Sequence, residues 1–218
     1  MEIARIGQSP ILMKKVIPFY LLLFLSLTAG TNPGTRLKGT YTILPESSLK
    51  LHGTSNVRDF SCTCTQQWGS YPVVYESNDD NTCWYFDEVR LSIEVNSLDC
   101  HHRPITNDLA KTLQSDKYPF IHLQVLEAIQ KDECIRMPYG ECMNTLIDLN
   151  IEIAGVQKVV ELDVDCYHVQ DETYQFSAFQ NLDMCDFNID PPSALLGLIQ
   201  VDQHIGIEID LRIKLEYL

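Results

Sequence analysis

Apolar and polar positions alternate with a period of two along much of the chain, most cleanly at its end. Between residues 205 and 217 every odd position (Ile205, Ile207, Ile209, Leu211, Ile213, Leu215, Tyr217) is apolar or aromatic, and every even position except Gly206 is charged. Successive side chains of a strand point to opposite faces, so the pattern gathers the apolar residues on one face; a helix would scatter them around its circumference. At about 3.3 Å per residue the run extends about 40 Å, longer than a typical strand, which implies that it bends across a curved sheet. An unpaired edge of that length templates aggregation, and closing the sheet into a barrel removes it.

The same period recurs upstream. It predicts strands at 37–43, at 49–53, more weakly through Phe60, Cys62 and Cys64, and strongly at 89–95. Residues 66–82, rich in Gly, Pro, Asn and Asp, read as a long connection around a short strand at 73–75. One helix is expected after the break at 100–104, with Asn107 as its cap, Leu109 and Leu113 one turn apart, and Tyr118-Pro119 as its stop. Strands follow through Ile121, Leu123 and Val125, through 147–153, back from the turn at 154–157 through 160–166, and through 174–178. Pro191 and Pro192 interrupt the ladder, and the apolar stretch 194–199 is suited to cap an opening. The fold class is therefore all-β: an antiparallel closed barrel of about eight strands with one short helix.

The N-terminus carries a different signal. Lys14 and Lys15 precede the apolar run 16–27, and Ser26, Thr28, Ala29 and Gly30 supply small residues for cleavage, the order of a secretory signal peptide over 1–30. Met13 is an alternative start. The run is too short for a membrane anchor and contains Pro18. The barrel domain is assigned to 31–218, and the protein is expected to be exported, periplasmic or secreted, with no transmembrane anchor. The leader holds three bases and one acid, so its removal takes the net charge from −14 to −16, which disfavours nucleic acid and anionic membrane surfaces as partners.

All eight cysteines (62, 64, 83, 100, 134, 142, 166 and 185) lie in the exported part, an even number that reads as up to four disulfides. Cys134 and Cys142, flanking a turn-like Met-Pro-Tyr-Gly, are one candidate pair. Cys62, Cys64 and Cys100 with His101 and His102 also have the donor types of a copper or zinc site or a thiol-redox centre. His52 and His122 fall on outward phases, His204 precedes the last strand, and His168 continues an inward phase near a strand end. The pairs Asp79–Asp80 and Asp163–Asp165 read as solvated charge rather than a calcium site. No nucleophile elbow, zinc-protease helix or phosphate-cradling glycine loop is present, so no enzyme and no cofactor are expected.

Several segments in order resemble the YceI-like family of exported bacterial, polyisoprenoid-binding, lipocalin-like barrels: Ser55-Asn56-Val57-Arg58-Asp59-Phe60, Ile93-Glu94-Val95-Asn96-Ser97-Leu98, Asp116-Lys117-Tyr118-Pro119-Phe120-Ile121, the hairpin 149–160 and Phe187-Asn188-Ile189-Asp190-Pro191-Pro192. The eight cysteines and an insert at 66–86 depart from the simplest members. The resemblance implies an apolar interior that takes an isoprenoid or similar lipid lengthwise, against the filled structural core that periodicity alone favours. The residues expected to face such a ligand are Ile93, Val95, Ile121, Leu123, Ile151, Ile153, Val164, Phe176, Ile207 and Ile209. The thirteen Lys and Arg outside the leader form no cluster for a diphosphate. That favours a neutral chain such as a quinone or a fatty amide, an expectation that one well-placed arginine, for instance Arg58, would reverse.

Overall fold

The structure, a computed structural model, describes residues 36–78, 82–87, 89–131, 140, 142–194 and 198–217. The expected leader, the alternative start at Met13, the Asp79–Asp80 pair and Cys134 lie outside the described residues. Among the described residues there are thirteen strands: β1 (Arg36–Ile43), β2 (Ser48–Ser55), β3 (Phe60–Cys64), β4 (Ser70–Ser77), β5 (Cys83–Phe86), β6 (Arg90–Glu94), β7 (Leu98–Asp99), β8 (Phe120–Gln130), β9 (Cys142–Ile153), β10 (Val156–Gln170), β11 (Thr173–Asp183), β12 (Ser193–Ala194) and β13 (Ile199–Tyr217). An α-helix, α1 (Arg103–Thr112), separates β7 from β8.

The alternating C-terminal run is the spine of the sheet. Along one edge β13 pairs antiparallel with β11, from Thr173↔Lys214 to Asp183↔His204. Its other edge changes partner: β2 lies against Val201 to Asp210, and β1 against Ile213 to Tyr217. Because β1 also pairs with β4, the hydrogen-bonded succession β1-β4-β5-β8-β9-β10-β11-β13 returns to β1. The strands β2, β3 and β7 branch from β13, and β6 pairs with β8. The sequence pattern predicts about eight strands, and eight form this returning succession; the others are branches or two-residue segments.

Four elements differ from expectation. The last strand begins at Ile199 rather than at 205, because a register shift between Val201 and Ile205 absorbs extra residues that break the alternation there. Within 66–82, expected as a connection around a short strand at 73–75, the strand is longer: β4 runs for eight residues, and both β4 and the following β5 belong to the returning succession. Pro72 masks this in the sequence, although Tyr71, Val73 and Tyr75 keep the period of two. The helix starts four residues before Asn107, with His102 at its cap and Pro104 in its first turn, where a missing N–H costs nothing. Val95 leaves its strand for a 3₁₀ turn (Val95–Ser97) yet remains buried.

Side chains inside the sheet form two apolar clusters. The larger gathers Leu49, Leu149, Ile151, Leu162 and Phe187 with the inward residues Ile205, Ile207 and Ile209 of β13. The smaller gathers Tyr41, Ile43 and Val73 with Tyr71, Phe86 and the next inward residues of β13, Leu211, Ile213 and Leu215. Trp68 and Leu91 pack against both clusters and so mark their boundary. The Tyr41 hydroxyl donates to the Arg90 carbonyl at 2.8 Å, and burial with the neighbouring Tyr71 pushes its pKa up to about 12, so it remains a neutral donor.

The β9–β10 hairpin turns on Ala154 (φ 49°) and Gly155 (φ 79°), the left-handed pair that matches strand twist. A Cβ at Gly155 would lie 2.6 Å from the ring of Tyr118. Gly155→Val is therefore expected to cost about 2 kcal/mol or more, from left-handed strain plus displacement of that ring, read as a lowered urea midpoint.

Candidate functional site

Inward residues of the larger cluster do not fill the space they enclose. They leave a cavity of about 340 Å³, within the range of small-ligand sites. Its walls come from alternate positions of the strands: Leu49 and Leu51 of β2, Leu149 and Ile151 of β9, Leu162 of β10, and Ile207 and Ile209 of β13. Ile105, Leu109 and Leu113 bring the apolar side of α1 against it. At the other half of the sheet the aromatic side chains of the smaller cluster occupy the interior, with Tyr41 and Tyr71 stacked at 5.3 Å. The interior is thus hollow at one end and filled at the other.

Seven of the ten residues expected to face a ligand line the cavity: Ile93, Ile121, Leu123, Ile151, Ile153, Ile207 and Ile209. Val95 and Val164 are buried in the same cluster without lining the space, and Phe176 packs against it. Phe176 lies opposite Leu211, one of the β13 residues of the filled half, which accounts for its absence from the lining. Sequence reasoning missed Met184, Phe187 and Ile189, which line the cavity from a 3₁₀ turn (Met184–Phe187) and its exit. Their signal was the spacing of three between Met184 and Phe187.

Among the lining residues the exposed ones come from three places: Val57 and Arg58, α1 and its N-terminal cap (His102, Pro104, Asp108), and Ser193. These mark the solvent-open rim. The 55–58 loop is held at the rim by Asn56, whose Nδ2 donates to the Leu198 carbonyl at 2.9 Å and whose Oδ1 accepts from the Gln200 amide at 3.0 Å. Ser55 folds the loop on itself, its Oγ accepting from the Arg58 amide at 3.1 Å and donating to the Arg58 carbonyl at 2.7 Å.

The cysteine-histidine alternative meets a different geometry. Cys62 and Cys100 form a disulfide, which removes two of its three thiolates and ties β3 to the segment that enters α1. Cys64 has its sulfur 3.3 Å from the Ser97 hydroxyl. His101 and His102 are exposed, and among the described residues no group of three or more His, Cys, Asp or Glu is placed to hold a metal ion. The buried Cys166 thiol is pushed up to about 12 by desolvation and by the nearby Cys142, far from a reactive thiolate. The remaining histidines have structural partners: His52 lies 2.9 Å from Glu208, His122 2.9 Å from Ser92, and His204 2.9 Å from Asp202, while His168 stacks on Tyr174. Asp163 and Asp165 are exposed, and Asp163 pairs with Lys131.

No protein-family model matches the sequence, and no curated protein matches it. Solved structures do match. A polyisoprenoid binding domain from Saccharophagus degradans, described as implicated in plant cell wall breakdown, aligns at 9% identity over 81% of this chain and 98% of that chain, with a TM-score of 0.58. BcnA of Burkholderia cenocepacia aligns at 13% identity over 77% of this chain and 96% of that chain, with a TM-score of 0.53. A Campylobacter jejuni YCEI protein aligns at 17% identity over 68% of this chain and 81% of that chain, with a TM-score of 0.48. The first two show that this chain has their fold, the architecture expected from the YceI-like resemblance: a largely β-sheet domain with one short helix.

Proposed function

We propose that this chain is an exported YceI-like protein that binds an apolar, chain-like molecule, an isoprenoid, quinone or similar lipid, inside a closed β-barrel and carries it without chemical change. The observation that carries the reading is the hollow half of the sheet, whose walls are predominantly apolar and whose rim opens to solvent. The fold shared with a polyisoprenoid binding domain supports it. Each methylene moved from water into such a space contributes about 0.8 kcal/mol, so ten would contribute about 8 kcal/mol against an association cost of at least about 4 kcal/mol. Useful affinity therefore needs no covalent or metal chemistry. Among the described residues no helix is long and apolar enough to cross a membrane.

The filled half sets a length limit, because Trp68 and Leu91 stand between the two clusters. Titrating purified protein with prenols of increasing length is expected to show affinity rising by up to several hundredfold per five-carbon isoprene unit, about 4 kcal/mol before ordering costs, and then levelling once the chain reaches that boundary. Trp68→Ala is expected to move the plateau to longer chains. Affinity that does not depend on chain length, in Trp68→Ala as in the wild type, would remove this length limit.

A further inference from the structure

The carrier reading leaves open which end of the ligand is recognised. Arg58 is the sole lysine or arginine among the residues lining the cavity, and it stands on the exposed rim. Its backbone is fixed by the Ser55 turn, whereas its guanidinium has no ion pair or hydrogen bond among the described residues, in a chain that carries 30 acids. The lining holds one carboxylate, Asp108, and Lys111 stands 3.9 Å from it. His102, also on the rim and with no side-chain partner at its cap position, adds a second nitrogen donor. Among the lining residues that are not exposed, all are apolar apart from Ser55, Thr112 and Gln180; the Ser55 hydroxyl is held by Arg58, and Gln180 donates to the Asn181 carbonyl at 3.3 Å. A charged head has no counterpart inside and one at the rim.

We propose that the site, if it carries a lipid as argued above, selects an apolar chain with an anionic head, a carboxylate or a phosphate monoester, held at the rim by the Arg58 guanidinium with its chain directed inward. A guanidinium fork matches both heads by paired hydrogen bonds. This reverses the preference for a neutral chain drawn from the scattered bases of the sequence: one arginine at the opening does what a cluster elsewhere would not.

The test is binding of two matched pairs, oleate against oleyl alcohol and farnesyl phosphate against farnesol, to the wild-type protein, Arg58→Gln and Arg58→Lys. The wild type is expected to favour the anion of at least one pair by about tenfold, the size of a partly exposed charge-assisted contact. Arg58→Gln is expected to bring that ratio near one, and Arg58→Lys to restore part of it. The pair with the larger ratio identifies carboxylate or phosphate as the natural head. Equal affinity for acid and alcohol in both pairs, or a loss in Arg58→Gln shared equally by both members, overturns the anionic head while leaving the carrier reading intact. No binding of any of the four ligands removes both.

Discussion

Ile151→Trp is expected to lower affinity for an apolar chain by roughly two-hundredfold while the protein remains folded. Ile151 is 4% exposed, lines the cavity, and lies between Leu123 of β8 and Lys158 of β10 in the strand register. An indole there would occupy space equivalent to about four ligand methylenes, a loss of about 3 kcal/mol. In a filled core the same enlargement would cost about 1–3 kcal/mol of stability, but beside an empty space the ring has somewhere to go. Val159→Trp supplies the comparison, since Val159 is 59% exposed and does not line the cavity. It is expected to bind like the wild type. Ile151→Trp binding as tightly as Val159→Trp would place the ligand elsewhere.

Removing the Cys62–Cys100 disulfide is the second large effect. The bridge spans 38 residues, and the loop-closure entropy withheld from the unfolded chain is worth about 4 kcal/mol at that length. That is a large share of the roughly 5–15 kcal/mol that holds a typical domain together. Cys62→Ala with Cys100→Ala is therefore expected to move the denaturant midpoint sharply downward. Cys64→Ser, whose thiol is unbridged, is expected to shift it by less than about 1 kcal/mol. Because Cys62 lines the cavity and the next residues after Cys100 begin α1, the double variant should also loosen the helix against the opening. Equal midpoints for the two variants would show that the bridge constrains nothing the fold does not already hold.

The sheet was legible where alternation was unbroken. The run from Ile205 to Tyr217, the hairpin through Gly155 and the strand through Ile121 all stand where their apolar phase predicts. It was misread where one residue type carried two meanings. Pro104 signalled a break and is instead the first turn of α1; Pro72 signalled a loop and instead sits in β4, next to Tyr71 and Val73. The division of the interior was not legible at all. Ile207 and Ile209 line a cavity, whereas Leu211, Ile213 and Leu215 on the same face of the same strand meet a filled core. Nothing along β13 distinguishes them. The difference lies in what stands opposite, mainly aliphatic side chains in one half and the rings of Tyr41, Tyr71 and Phe86 in the other, and those rings come from β1, β4 and β5, far away in sequence.

The rim was partly legible. Arg58 was visible as a base beside a loop, and its place at the opening depends on Asn56 pinning that loop to the start of β13, a contact across 142 residues. Such a contact has no local signature. The cysteines show the same limit, since Cys62 and Cys100 were visible as oxidisable residues but their mutual pairing follows from β3 lying beside β7.

The measurement that bears most directly on the account is native mass spectrometry of the mature protein taken from its own exported compartment, followed by organic extraction and mass analysis of what is released. The account predicts a near one-to-one adduct whose extracted mass is that of an isoprenoid or other long-chain lipid. A clean apo mass that stays unchanged after incubation with prenols, quinones and fatty acids would contradict it.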